Sequence, residues 1–299
     1  MKKSIKEIQK NLYDGKDSGY RPVYEDRAFF AEYLKSHVAE ARDNKILGIS
    51  YKAARNIKEL EKLELKSGMK VLDAGCGPGI LINQLEAMYK IKGYGCDLSK
   101  LALKRAKECG SKKIIYKNSV LEKMPFPKNY FDAVVSFDVL EHVENKEKVL
   151  SEMARVLKPG GKLLIYAISI RDLFTWHWFL RLITFGRLGH DTEGGHFREQ
   201  FAEPYRTAYA VSRLGCEGVK TGYLHSFFTL LADELLFKMF RSRVKTANAG
   251  AVKTGSGGGR KIKIYRFFQA TLPVMELLEL PWKIFGLSNG FFVRARKKT

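Results

Sequence analysis

The 299-residue chain reads as an α/β protein: a mostly parallel sheet of seven strands with helices on both faces, an N-terminal helical cap, and a helical insertion before the last strand. Three observations lead there. Apolar runs of strand length alternate with helix-period segments through the middle of the chain, the pattern of a parallel sheet covered on both faces. The first such run ends in a glycine-rich turn that opens a helix, as nucleotide-binding α/β sheets do. Two further strand-like segments close the chain.

Residues 26–43 and 48–64 carry helical patterns ahead of the first strand, so 1–66 is expected to form the cap. Strands are expected at 70–74, 92–97, 113–117, 131–137 and 162–169, with helices between them. A helix over 203–213 and closing strands at 218–223 and 291–296 complete the sheet domain, which then comprises 67–224 and 288–299. More than 60 residues separate the two closing strands, and 225–287 is read as the insertion.

The turn after the first strand is the most informative segment. Val71-Leu72-Asp73-Ala74 runs into Gly75-Cys76-Gly77-Pro78-Gly79, with glycine at alternate positions. Glycine allows a sharp turn and a close approach of backbone to ligand. A dinucleotide fingerprint is G-x-G-x-x-G, whereas here the third glycine comes one residue early and Ile80 takes the dinucleotide position. Asp73 stands where a pyrophosphate would be repelled and a cation welcomed. The second strand ends in Asp97, placed to accept both hydroxyls of a ribose. These features suit a nucleoside carrying positive charge and no phosphate.

On these residues the chain resembles class I S-adenosylmethionine-dependent methyltransferases, most closely the branch that contains the ubiquinone and menaquinone biosynthesis enzymes. The likeness continues through Met124-Pro125-Phe126-Pro127, Tyr130–Val134, Asp138–Val143 and Ala154–Gly161, in the family's order. It implies a Rossmann-like fold, with S-adenosyl-L-methionine as methyl donor. It also implies that Asp73 and the Gly75–Gly79 backbone hold the methionine part, that Asp97 holds the ribose, and that Leu98 and Val120 flank the adenine. Cys76, Ser119 and Phe137 are counted with Gly75, Gly77 and Gly79 among the cofactor-binding residues. The chain departs from many relatives at Asn118-Ser119-Val120, where they carry an acid near the adenine amino group.

Composition bounds the rest. Hydrophobic content of 45% and aromatic content of 12% argue against global disorder. Cys76, Cys96, Cys109 and Cys216 form no C-x-x-C pair, so reduced, buried thiols are expected rather than disulfides or a metal site. The start is basic with no apolar stretch behind it, which gives a cytoplasmic expectation. No apolar run reaches the ~18 residues of a spanning helix.

Net charge is +21. From residue 241 onward there are thirteen Lys and Arg against two Glu. Within 225–287 an apolar segment at 227–240 is followed by a Gly-rich basic stretch, 253–260, expected to be a flexible tether, and then by Phe267, Phe268, Leu272, Trp282 and Phe285. A third apolar-aromatic segment, 173–180, follows the fifth strand. Aromatic faces beside clustered cations fit a peripheral place on an anionic membrane, on its inner face. Packing on the sheet, or against another subunit, is the competing reading.

Methyl transfer needs a base only when the acceptor loses a proton. His142, after the fourth strand, and His190 and His196 in the loop before residue 203 are the acceptor-side candidates, and His37, His177 and His225 are read as structural. The expected acceptor is a hydrophobic or lipid-linked small molecule, such as a quinone precursor, an isoprenoid or a glycolipid. Two alternatives stand beside it: an RNA methyltransferase, supported by the charge, and a binding protein that keeps the cofactor fold without catalysis.

Overall fold

The computed structural model describes residues 22–45, 47–48, 50–187, 198–235 and 258–299, with residues 7, 10, 11, 13 and 14 ahead of them and side chains omitted for 258–265. Seven strands form one sheet: β1 Lys70–Ala74, β2 Lys92–Asp97, β3 Ile115–Asn118, β4 Phe131–Phe137, β5 Leu157–Ile168, β6 Cys216–Leu224 and β7 Gly290–Lys297. Their order is β3-β2-β1-β4-β5-β7-β6. The first five are parallel, and β7 is antiparallel to both β5 and β6. The chain reverses strand order at β1, where helices leave the sheet on either side, and the carboxyl ends of β1 and β4 border the resulting crevice.

Alternation along the strands divides the core in two. Leu72, Val134, Leu163, Phe291 and Val293 belong to one apolar cluster, while Val71, Val135, Leu164 and Phe292 belong to the other. Two of the helices that cover these faces start at side-chain caps. Ser99 accepts from the Ala102 N–H ahead of Lys100–Cys109, and Asn145 accepts from the Lys148 N–H ahead of Lys146–Val156.

Several boundaries differ from the sequence reading. The helix expected over 48–64 is Tyr51–Glu61, because Ser50 caps it. Strand β3 begins two residues late, and Glu203 is the cap of Pro204–Arg213 rather than its first residue. Strand β5 begins at Leu157: Leu157 pairs with Phe131 before the Lys158-Pro159-Gly160-Gly161 turn, and an irregular register absorbs that turn before Lys162 meets Ala133. The largest correction concerns Gly258–Arg260. Expected as tether, they form the first turn of the helix Gly258–Leu278; the preceding 253–257 lie outside the described residues. That helix buries Phe268 and Leu272 against Tyr51 and Ala54, so part of the insertion packs on the cap helix. The helix begun at 228 is described to 235. Among the described residues, no helix is long and apolar enough to cross a membrane.

The connections β5-to-β6 and β6-to-β7 leave from the edge of the sheet that carries the glycine turn. Ile168 pairs with Gly290, and Gly290 with Leu224, so the chain leaves β5 and β6 and enters β7 at the carboxyl ends of the parallel strands.

Candidate active site

Between β1 and the helix Ile80–Tyr89, Gly75, Gly77 and Gly79 have φ of +83°, +49° and +79°. An L side chain in that left-handed region costs about 1–2 kcal/mol. Two of the three also lack room. A Cβ at Gly75 would meet Val139 Cγ2 at 2.4 Å, and one at Gly79 would meet the Tyr116 hydroxyl at 2.5 Å. Gly77 differs, since nothing lies within 4 Å of where its Cβ would be. Its backbone is the part of the turn open to a ligand.

Asp97 anchors that backbone. Its Oδ2 accepts from the Gly77 N–H and its Oδ1 from the Ser99 N–H, each at 2.8 Å. A carboxylate oxygen can accept twice, so both retain capacity for ribose hydroxyls. Asp73, one strand away, is buried. Burial and the neighbouring Asp97 charge push its carboxyl up to about 8. Burial raises Asp97 too, against the opposing pull of the N–H groups of Ser99, Gly77 and Leu98. Two buried acids this close are an electrostatic demand for a cation.

Both line a cavity of about 430 Å³. Asp73, Gly75, Cys76, Gly77, Asp97, Leu98, Val120, Phe137 and His142, all named from sequence, meet there. Gly79 and Ser119 do not line it. Gly79 caps the helix Ile80–Tyr89, and Ser119 donates its N–H to the Asp97 carbonyl and its hydroxyl to the Val120 carbonyl. His190 and His196 lie outside the described residues. His37, His177 and His225 are away from the cavity: His37 Nδ1 donates to the Tyr33 carbonyl, His177 pairs with Glu234, and His225 pairs with Asp233 at 2.9 Å. Cys76, Cys96 and Cys216 are buried free thiols.

The cavity inverts the charge of the chain. Lys and Arg outnumber Asp and Glu by 53 to 32 overall, yet among the described residues five acidic side chains (Asp73, Asp97, Glu122, Asp138 and Glu144) line the cavity with one lysine, Lys10. This favours a cationic nucleoside and opposes a bound polyphosphate.

The rest of the wall comes from places the motifs do not mark. An N-terminal segment lies over the cavity. The Asp14 carboxylate accepts from the Ser99 hydroxyl at 2.8 Å and the Leu101 N–H at 3.2 Å, and the Tyr13 carbonyl accepts from the Tyr24 hydroxyl at 2.8 Å. This places the Tyr13 hydroxyl 3.1 Å from His142 Nε2. On the opposite flank Asp138, at φ +54°, holds Lys52 Nζ through both oxygens at 2.8 Å, and the ammonium lies 4.4 Å from the centre of the Tyr166 ring. Burial works against the Lys52 charge, but Asp138 and Tyr166 outweigh it and raise its pKa. Asp233 of the insertion accepts from the Tyr51 and Lys52 N–H groups at 2.7 and 3.1 Å, and so fixes the helix that presents Lys52. Sequence reading missed Tyr13, Lys52 and Asp233. Asp138 lay inside a recognised block without being singled out, and its acid at a strand end was the one available signal.

Known proteins share this sequence pattern and fold. A methyltransferase-domain family matches residues 72–165. A ubiquinone/menaquinone biosynthesis C-methyltransferase of Shewanella sediminis is 30% identical over 190 residues, covering 59% of this chain and 75% of that protein. The chain therefore belongs to the S-adenosylmethionine-dependent methyltransferases. A sterol 24-C-methyltransferase of Gibberella zeae is 36% identical over 37% of this chain, and a probable tRNA methyltransferase of Bos taurus is 30% identical over 48%. The chain spans about a third of the length of these two relatives, 30% and 34%. A phosphoethanolamine N-methyltransferase of Haemonchus contortus, solved with phosphomonomethylethanolamine and S-adenosylhomocysteine, superposes with a TM-score of 0.58 at 20% identity, over 97% of this chain and 61% of that one; it shares the fold.

Proposed function

We propose that the protein transfers the methyl group of S-adenosylmethionine to a hydrophobic small-molecule or lipid-linked acceptor, of the quinone-precursor, isoprenoid or glycolipid kind, at a membrane surface. The observation that carries the reading is the acidic cavity around the glycine turn in a strongly basic chain. The cofactor supplies an activated methyl on a sulfonium. Asp97 would hold its ribose, the Gly77 backbone and Asp73 its charged amino-acid end, and Leu98 and Val120 its adenine. Holding acceptor and donor in line supplies most of the acceleration, since such positioning is worth ~7–11 kcal/mol. His142 and Tyr13 form the polar pair on the acceptor side: the Tyr13 hydroxyl would pass its proton to His142 Nε2 as it takes one from a hydroxyl or acidic-carbon acceptor. The apolar wall of Phe137, Val139 and Val143 suits a lipophilic acceptor, as do the sterol and quinone relatives.

Titration calorimetry with S-adenosylmethionine, together with a comparison of lipid and quinone extracts from cells with and without the gene, tests this. The expected result is cofactor binding and a species that is lighter by one methylene when the gene is absent. Failure to bind the cofactor would overturn the reading. The net charge and the tRNA relative favour a second reading, methylation of RNA. It requires RNA binding with a steep salt dependence, since phosphate contacts release counterions.

A further inference from the structure

We propose that the face formed by Phe174, Leu182, Ile183, Phe185, Ile284 and Phe285 is the surface through which the protein docks on an anionic lipid bilayer; this rests on the reading of a lipophilic acceptor. Two helices carry it. Trp176–Ile183 reads WHWFLRLI and Leu280–Ile284 reads LPWKI, yet neither has a fully buried residue, and Trp176, Trp178, Leu180 and Trp282 are half-buried. Segments so apolar normally turn a face to the core. Here they are joined to one another instead. Phe227 packs on Trp176, Phe179 and Trp282, and the Trp282 indole N–H donates to the Phe174 carbonyl at 2.7 Å. The Trp176 indole N–H donates to Glu234 at 2.9 Å. With both indoles held inward, the aliphatic and phenyl groups are left outside: Phe185 is 95% exposed, and Ile284 and Phe285 67% each.

Backbone conformation supports a role for the exposure. Phe174 and Phe185 have φ of +57° and +49°, a region that bulky side chains rarely occupy. Charge selects the partner. Arg171 donates to the carbonyls of Phe285 and Gly286 beside the apolar residues, the exposed Arg187 follows Phe185 by two residues, and Lys283 adjoins Ile284. An apolar rim with surplus cations is complementary to an anionic interface, into which rings insert while Lys and Arg meet headgroups. Position completes the argument. Both helices leave the sheet at the edge that carries the cavity. Contacts also run from the cavity to the insertion: Asp138 holds Lys52, and the adjacent Tyr51 meets the Thr271 hydroxyl at 2.9 Å and the Phe268 ring at 4.7 Å. A lipophilic acceptor would therefore leave the bilayer beside the active site.

Flotation of the full chain with phosphatidylcholine vesicles, with and without phosphatidylglycerol, tests the assignment, alongside the F185S/F285S double variant. The expected result is binding that depends on phosphatidylglycerol and weakens as salt is added. The double variant should lose at least tenfold in vesicle partitioning while its melting temperature and S-adenosylmethionine affinity stay unchanged. Equal partitioning of parent and variant would overturn this face but leave membrane docking elsewhere standing. Binding of neither to any vesicle would overturn both this face and the membrane reading, without touching cofactor binding. A parent that dimerises in sedimentation, with a monomeric variant and unchanged vesicle binding, would make the face a contact between copies and overturn the proposal.

Discussion

In the strands that carry the glycine turn, Val71, Leu72, Val134 and Val135 are wholly buried and the neighbouring cavity gathers acids. Past β5, in the other half of the sheet, Trp176–Ile183 and Leu280–Ile284 hold no fully buried residue, in a chain whose end is strongly basic. The two regions share one sheet edge and invert each other's rules of burial and charge. Core packing explains the first without appeal to function, except for the buried acid pair. The second is the face proposed to meet lipid, since its exposed rings gain nothing from the core. The difference teaches that the two substrates impose opposite demands: the donor is small, charged and enclosed, and the proposed acceptor is large, apolar and approached from outside.

Glycines offer the largest expected effect. Gly75→Ala meets both the left-handed φ and Val139, and should destabilise by roughly 2–5 kcal/mol when the backbone and overpacking costs are added. Gly186 on the outer face has φ +80° but nothing within 4 Å, so Gly186→Ala should cost only about 1 kcal/mol. Chemical denaturation of the two variants measures the gap, and equal losses would erase the contrast between enclosed and open regions.

Asp97→Ala should weaken S-adenosylmethionine binding roughly 100-fold, from two hydrogen bonds to a charged acceptor at ~1.5 kcal/mol each. Calorimetry of this variant beside F185S/F285S checks that cofactor affinity belongs to the cavity alone. His142→Ala should cut turnover by about 100-fold if the acceptor gives up a proton, with cofactor affinity preserved. A parallel fall in affinity would move His142 from the acceptor side to the donor side.

The smallest effect is with pH. Burial and the Asp97 charge push the Asp73 carboxyl up to about 8, against an ordinary 3.8. The folded state thus holds its proton more tightly than the unfolded chain, and this group's contribution to stability is full below about pH 4 and falls as pH rises toward 8. A cationic ligand favours the ionised form, so binding should release a proton at pH 7. Affinity should rise by up to about tenfold per pH unit until Asp73 is ionised. Calorimetry in buffers of differing ionisation enthalpy reads the proton directly; no release would mean that the cation does not sit beside Asp73.

Much of the donor half was readable before any coordinates. Asp73, the glycines and Asp97 lie within one strand–turn–helix–strand unit, where spacing dictates position. Strand β5 shows the limit. Lys158-Pro159-Gly160-Gly161 reads locally as a turn, yet Leu157 already pairs with Phe131 because β4 offers a partner. Gly258–Arg260 read as tether for the same reason: glycine composition is local, whereas burial of Phe268 and Leu272 on the cap helix is not.

The sequence by itself determined the α/β class, the charged nucleoside and the half of the cavity proposed to bind it, since turn stereochemistry and strand-end acids act between near neighbours in the chain. Only the tertiary structure assembled the half proposed for the acceptor. Tyr13 meets His142, Lys52 meets Asp138, and Asp233 caps the helix between them across separations of 129, 86 and 182 residues. Contacts at such range leave no period or spacing in the sequence, because folding, rather than the chain's order, brings those atoms together.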